Sequence, residues 1–448
     1  MQISDIMGRQ KAYFDEGHTK RFLHRKTTLE NLAMLLKENE KLFLEALEKD
    51  LGKSNSEAYM TEIGIIYEEI SFALKHLKKW MRVEKVKTSL THVGSKGFIQ
   101  REPYGTVLVV APWNYPYQLA LAPLIGAIAA GNTVILKPSE LAPHTAQVLM
   151  HVLSRFREEI IAVVNGGVDV TTELLDQKMD YIFFTGSTHV GKIVMQKAAN
   201  HLTPVTLELG GKSPLVVMND ANMKLAAKRI AFGKWVNAGQ TCIAPDYVLV
   251  QDDIYDEFKA ELREAITELY GGNPLMNEAY GRIVNEAHFK RLQSYVPDAF
   301  VDEANLKMAP YLLEAPDLDS PVMREEIFGP ILPLIRFAET EDAIRFIRER
   351  PKPLALYLFT ASRKIERKFL FKTSSGGVCI NDTLMHIATP YLPFGGVGDS
   401  GTGNYHGEAS FRTFSHEKSV LRQTTAFDMK FRYPNSKYRE KLLRFFLK

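Results

Sequence analysis

Between residues 105 and 211, short apolar runs alternate with stretches whose apolar residues recur every three or four positions. The runs are GTVLVVAPWN, NTVILKPS, IIAVVNGG, DYIFFTGS and PVTLELGG, and between them lie patterns such as PHTAQVLMHVLSRF and HVGKIVMQKAANHL. Parallel neighbours need a crossover, and a helix supplies it. The order therefore predicts an α/β fold, a parallel sheet with helices on its faces. A second series begins near Ser213. Its strands are SPLVVMND, DYVLVQDD, FGPILPLIRF, PLALYLFT and GGVCIND. Its helices are MKLAAKRIAFGKWV, YDEFKAELREAITELY, TEDAIRFIRER and IERKFLFKT. Two α/β units joined near residue 210 follow, with the cleft between them as the expected site.

The first eighty residues read as helices, in TTLENLAMLLKENEKLFLEALEKDL and EAYMTEIGIIYEEISFALKHLKKWM. LALAPLIGAIAAGNTVIL is interrupted by Pro123, Gly131 and Asn132. It predicts a buried helix stopping at Gly131 and then a buried strand, not a membrane span. The opening MQISDIMGRQKAYFDEG lacks the apolar core of a secretion signal. A formal net charge of +3 gives no field that would gather nucleic acid. Two cysteines, Cys242 and Cys379, exclude a disulfide framework and suit a reducing compartment, so a cytoplasmic location is expected.

Three readings of YIFFTGSTHVGKIV stay open on spacing alone. Gly186, Gly191 and Lys192 match G-x-x-x-x-G-K, but Ile193 stands where a triphosphate loop needs Ser or Thr for magnesium. The turn is a plain strand–turn–helix, a dinucleotide turn, or the loop of a P-loop NTPase, with Asp220 imitating the magnesium-binding strand. Gly396, Gly398 and Gly401 spell G-x-G-x-x-G, yet TGNYHGEASFRTF after them is no clear helix. That run reads as a loop near a site rather than a cofactor fingerprint.

Cys242 lies in NAGQTCIAP, just beyond an amphipathic helix. It is either a small core residue or, if its pKa falls below the usual ~8.5, a loop nucleophile. Glu208 shares one strand face with Thr206, and Gly210 and Gly211 turn the chain after it toward the cleft. It is either a solvent-facing carboxylate or a base. Asn114, ending the first strand in APWNYP, is either a turn residue or a donor to a developing oxyanion. Together they fit oxidation of an aldehyde through a thioester.

With APWNYP, LKPSE, FTGSTHVG, LELGGKSP, NAGQTC, EEIFGP and PFGGVGDSG in this order, the chain resembles the NAD(P)-dependent aldehyde dehydrogenase superfamily over essentially its whole length. LPFGGVGDSG and the tail RYPNSKYREKLLRFFLK are most similar to the class 3 branch, which holds dimeric enzymes and membrane-anchored fatty aldehyde dehydrogenases. The resemblance implies two parallel-sheet domains and a small bridging domain. Residues 1–83 and 104–209 would bind the dinucleotide, 210–400 would form the catalytic domain, and 84–103 with 401–448 would bridge and pair subunits in a homodimer.

The resemblance further makes Cys242 the nucleophile, Asn114 and the Cys242 N–H the oxyanion donors, and Glu208 the base that activates water. Ser187 and the helix start after it would meet the pyrophosphate, with Val190 at the adenine, and Trp113 and Gly186 would also belong to the cofactor site. Lys137 and Glu140 would hold the adenosine ribose. Glu326 would hold the nicotinamide ribose, with Phe328 near the ring. No metal is called for. Glu140 leans toward NAD, and Lys137 leaves NADP acceptable. The substrate is expected to be a medium- to long-chain aliphatic or aromatic aldehyde lined by Tyr115, Met60, Thr241, Ile243, Met385 and His386. Cys379 is expected to be structural. A CoA-acylating variant is the near alternative, opposed by Glu208. Membrane-surface contact through YREKLLRFFLK is conceivable and not expected, and no apolar anchor is expected beyond it.

Overall fold

The structure, a computed structural model, describes residues 2–447. Runs such as TVLVV and YIFFT are apolar throughout, as a strand covered on both faces must be, and every residue of both is buried. In chain order the first strands are β1 (Glu84–Val86), β2 (Lys96–Pro103), β3 (Thr106–Val110), β4 (Thr133–Lys137), β5 (Ile161–Val163), β6 (Tyr181–Thr185), β7 (Val205–Glu208), β8 (Pro214–Val217) and β9 (Tyr247–Gln251). Then come β10 (Val301–Asp302), β11 (Lys307–Met308), β12 (Tyr311–Glu314), β13 (Ile331–Phe337), β14 (Ala355–Phe359), β15 (Gly377–Ile380), β16 (Gly401–Thr402) and β17 (Ser415–Arg422).

One six-stranded sheet runs β16-β7-β6-β3-β4-β5, parallel except for β16. A second runs β12-β13-β9-β8-β14-β15, parallel throughout. The expected α/β architecture is thus present. In the first sheet the strand order reverses between β3 and β6. A crevice opens at such a switch point, outside the carboxyl ends of the strands. The second sheet faces the site with the opposite ends, because Cys242 precedes β9 and Glu326 precedes β13. Gly210 and Gly211 carry the chain from the end of β7 to the start of β8.

The wholly buried helix Gln118–Ala130 keeps Pro123 inside it and ends on Gly131 at φ 96. Among the described residues no helix is long and apolar enough to cross a membrane. β2 pairs antiparallel with β17 from Lys96↔Arg422 to Pro103↔Ser415, and β1 completes a three-stranded sheet. The glycine run at 396–401 is a loop. It turns at Gly398–Gly401 and lays β16 against β7, with Gly401 opposite Glu208.

Several elements depart from the sequence pattern. A helix over Ile3–Asp15 carries no strong apolar stripe. The pattern over 27–51 breaks at Asn39, whose side-chain amide donates to Leu35 O at 2.8 Å and ends the first helix. The pattern over 57–81 contains a π-helical turn at Tyr59–Ile63. β12 and the short β10–β11 ladder have no alternating signature.

The helix Pro143–Leu153 behind β4 has no side-chain cap of its own. Buried Asp50 supplies one, accepting from His144 N (3.1 Å), Thr145 N (2.8 Å) and Thr145 Oγ1 (2.7 Å). A carboxylate at a helix N-terminus satisfies orphan donors and complements the dipole. Asp50→Ala is expected to cost about 2–3 kcal/mol in urea unfolding. An unchanged midpoint would show that the cap contributes nothing.

Candidate active site

A cavity of about 330 Å³ lies where the two sheets meet. After β3 it takes Trp113 and Asn114; after β6, Gly186 and Ser187; at the end of β7, Glu208 and Gly210. From the other sheet come Cys242, ahead of β9, and Glu326 and Phe328, ahead of β13. The structure thus brings eight of the eleven sequence-derived site residues onto one wall. Lys137, Glu140 and Val190 do not line it. Lys137 ends β4, in register with Val110 of β3, and so stands at the same sheet edge.

Backbone geometry delivers the thiol. After the helix Met223–Trp235, Asn237, Ala238 and Gly239 all take positive φ (53°, 52° and 77°). A Cβ on Gly239 would stand 2.3 Å from Gly329 O, so only glycine fits. Glu57 Oε1 accepts from Asn237 N at 2.9 Å and holds the turn. The sequence reading asked for a lowered thiol pKa, and the structure corrects it. Burial pushes the Cys242 thiol up, and the charges of Glu326 and Glu208 add to the rise. N–H groups of Cys242 and Ile243 oppose it without prevailing.

Glu208 is buried, and neither carboxyl oxygen has a hydrogen-bond partner among the described residues. Burial alone holds its pKa well above the ordinary value. Glu326 is pushed up to about 8, by burial first and by nearby Asp246 second. A Cβ on Gly210 would come within 1.9 Å of Glu326 Oε2, so this glycine makes the room between the two carboxyls. Asn114 is buried. Its Nδ2 donates to Gln240 O at 3.1 Å, and its second N–H stays available.

Ser187 caps the helix Thr188–Ala199, its Oγ accepting from Val190 N at 3.3 Å. Free N–H groups at that helix start form an anion-binding end. Ile193 sits on the helix surface with no hydroxyl to offer a magnesium ion. Trp113 meets Phe328 edge-on, ring centroids 5.3 Å apart. Lys137 Nζ pairs with Glu140 Oε2 at 2.5 Å. A second opening of about 650 Å³ shares Gly210 and Glu326 and carries Lys192, Lys212, Arg324, Arg350 and Lys352 alongside Asp319, Glu349 and Asp399, an approach of mixed charge. The helix start and the room left at Gly210 fit an elongated dinucleotide.

Two polar cavity residues lie outside every motif of the sequence. His288 and Arg291 enter from the helix Glu286–Tyr295. The histidine expected at the site was His386, whereas His288 is the one that lines the cavity with Cys242. It packs on Trp113 at 5.4 Å, and burial lowers its pKa. Of the expected substrate-lining residues, none lines this cavity. Tyr115 and Thr241 are buried and hydrogen-bonded to each other at 2.6 Å, and Ile243 is buried. Met60 and Met385 are half exposed. His386 has both ring nitrogens without a partner among the described residues.

A sequence model of the aldehyde dehydrogenase family matches residues 1–420. The 4,4'-diaponeurosporen-aldehyde dehydrogenase of Staphylococcus aureus is 47% identical, over 98% of this chain and 97% of its own. A dimeric, NADP-preferring aldehyde dehydrogenase of Rattus norvegicus is 44% identical, over 97% and 98%. The substrate-bound state of Staphylococcus aureus AldH superposes with a TM-score of 0.98 at 46% identity, covering 100% of both chains.

The buried carboxyl predicts a pH signature. Above the ordinary 4.5, the unfolded chain has lost a proton that folded Glu208 keeps. This group's contribution to stability is therefore present below that value and falls as pH rises toward the folded pKa. Glu208→Gln removes the linkage. Its unfolding free energy relative to wild type should improve with pH, by at most about 1.4 kcal/mol per unit. Urea unfolding between about pH 5 and pH 8 reads the difference. A constant difference would mean that Glu208 is ionised in the fold.

Proposed function

The chain belongs to the aldehyde dehydrogenase family and oxidises aldehydes, and we propose that Cys242, Glu208 and Asn114 carry that reaction. The observation behind this reading is their convergence on one cavity with the β6 turn. Cys242 Sγ, its proton released to solvent, attacks the aldehyde carbon, and the carbonyl π electrons move to oxygen to give the thiohemiacetal oxyanion. The Asn114 amide and the Cys242 N–H donate to the oxyanion; one such donor is typically worth about 10²–10³ in kcat. When bound, NAD or NADP supplies the nicotinamide carbon that takes the hydride from this centre. The thioester left on Cys242 is then hydrolysed: Glu208 takes a proton from water, the acid departs and the thiol is restored. A buried glutamate with a raised pKa suits that step. Because both Cys242 and Glu208 must lose protons they hold tightly, activity rises with pH.

Ser187, Gly186 and the N–H groups before Val190 hold the pyrophosphate beside Trp113. Lys137 and Glu140 hold the adenosine ribose, and Glu326 and Phe328 the nicotinamide end. The Glu140 carboxylate opposes a 2′-phosphate and Lys137 tolerates it, so NAD is used and NADP accepted. Substrates are medium- to long-chain apolar or aromatic aldehydes, in keeping with the diaponeurosporen-aldehyde that the Staphylococcus aureus relative's name carries. The dinucleotide unit spans 1–83 and 104–209, the catalytic unit 210–400. Two free cysteines suit the cytoplasm. The segments 84–103 and 401–448 pair two subunits about a two-fold axis, since β1 and β17 are open edges that pairing would cover. The rat relative is itself named dimeric.

Cys242→Ala is expected to abolish reduced-cofactor formation from an aldehyde panel while NAD still binds. Glu208→Gln is expected to give a single-turnover burst and then a slow steady state, because an amide cannot take a proton from water. Wild-type turnover in the first variant, or loss of the burst in the second, rejects the assigned role. In light scattering at micromolar concentration, a mass near twice 50.7 kDa is expected. A stable monomer or tetramer rejects the pairing.

A further inference from the structure

Behind the cavity, and outside its wall, lies a buried ion pair. Lys53 Nζ and Glu62 Oε1 are 2.5 Å apart, and both side chains are wholly buried. Gly52, at φ 67, ends the helix Glu40–Leu51 and turns Lys53 inward. Glu62 lies in the π-helical turn Tyr59–Ile63, an irregularity that often marks a functional site.

Each partner continues into the site. Lys53 Nζ donates to the backbone oxygen of Asn114 at 3.1 Å and lies 4.0 Å from the centre of the Tyr115 ring. Glu62 Oε2 accepts from Tyr117 N (2.9 Å) and Gln118 N (3.2 Å), where the helix Gln118–Ala130 begins. The segment Asn114–Gln118 is thus gripped at both ends by one ion pair. Asn237 Nδ2 donates to the same Asn114 oxygen (2.8 Å) and to Gln240 O (3.1 Å). Gln240 O also receives Asn114 Nδ2. The oxyanion loop and the cysteine turn therefore share a carbonyl on each side, and Lys53 supplies the charge behind the first of them.

A buried ion pair is a weak source of stability compared with apolar side chains of similar volume. What this one provides is a fixed place for the Asn114 peptide. We propose that Lys53, balanced by Glu62, is a positioning residue for aldehyde oxidation, acting through Asn114 to hold its side-chain amide toward the oxyanion. The inference rests on the reading of Asn114 as oxyanion donor. A displacement of about 1 Å at such a donor can cost as much as ~10²-fold in rate.

The test is a mutant cycle measured by kcat, KM and thermal midpoint. Lys53→Met leaves the Glu62 charge buried and alone, so both midpoint and kcat should fall. Lys53→Met with Glu62→Gln removes both charges. Its midpoint should recover, while kcat stays about 10- to 100-fold low and the KM for aldehyde and the affinity for NAD stay unchanged. Adding Asn114→Ala to the neutral pair should lower kcat no further than Asn114→Ala alone, because the pair acts through that amide. Recovery of kcat together with the midpoint overturns the proposal, as does an additive loss in the combined variant. If Asn114→Ala alone leaves kcat intact, the oxyanion reading fails first, and the cycle separates that failure from this one.

Discussion

Acids crowded into one buried cavity are the constraint on which this site depends. Glu208 has no hydrogen-bond partner for either oxygen among the described residues, and Glu326 and Cys242 line the same cavity. In a poorly hydrated space each acid raises the cost of ionising the next. Lys212, which shares the adjoining opening with Glu326, is already committed: it is paired with Asp246 and also donates to Val322 O and Glu325 O. The charges of Glu326 and Glu208 both add to the rise of the Cys242 thiol, so ionising either makes the thiolate costlier. The local backbone follows from the same constraint. Gly210 has no Cβ because Glu326 occupies that space. Gly401, at φ 135, has none because a Cβ would stand 2.0 Å from Leu207 O on the strand that carries Glu208.

Holding such a site open requires a rigid frame, and the two sheets divide the work. The first offers the carboxyl ends of β3, β6 and β7, where loops are free to present Asn114, Ser187 and Glu208. The second offers the amino ends of β9 and β13, so that Cys242 and Glu326 arrive on chain that has not yet entered a strand. Gly186 N donates to Glu208 O at 3.0 Å, which locks the turn after β6 to the end of β7. The N-terminal helices brace both halves from behind, through Glu57 on the Asn237 turn and the Lys53–Glu62 pair on the Asn114 loop.

Legibility in the sequence followed the range of the forces involved. TVLVV, YIFFT and ALYLF are readable as strands because burial on both faces leaves no polar position. Cys242, Glu208 and Asn114 are readable because each sits in a run whose turn residues mark a loop or strand end. The helix Ile3–Asp15 is harder to read: it buries only Ile3, Ile6 and Gln10, and Gln10 is there to donate to Val134 O and Glu158 O. The break at Asn39 is one side-chain bond, and the π turn has no periodic mark at all. His288 and Arg291 reach the cavity from a mostly polar helix that carries no motif. The protonation of Cys242 was least legible, since the Glu326 and Glu208 charges that add to its burial come from distant parts of the chain.

The phosphate turn shows how one spacing can serve two kinds of physics. Gly186 and Gly191 stand where a triphosphate loop would have them, yet each answers to packing. A Cβ on Gly186 would come 2.6 Å from the Phe184 ring, and one on Gly191 would come 2.6 Å from Leu209. The second contact lets the helix Thr188–Ala199 lie close against the end of β7, which brings its N-terminus near Glu208. Ser187 spends its oxygen on capping that helix, so it presents an anion site without a metal ligand. Lys192 lines the adjoining opening together with Thr188, Lys212 and Lys352. A triphosphate loop needs a hydroxyl at the position of Ile193, whereas a pyrophosphate held by helix N–H groups needs only that the helix start at the right place. The glycines secure that start, and so the apolar residue at 193 is consistent with the site rather than a defect in it.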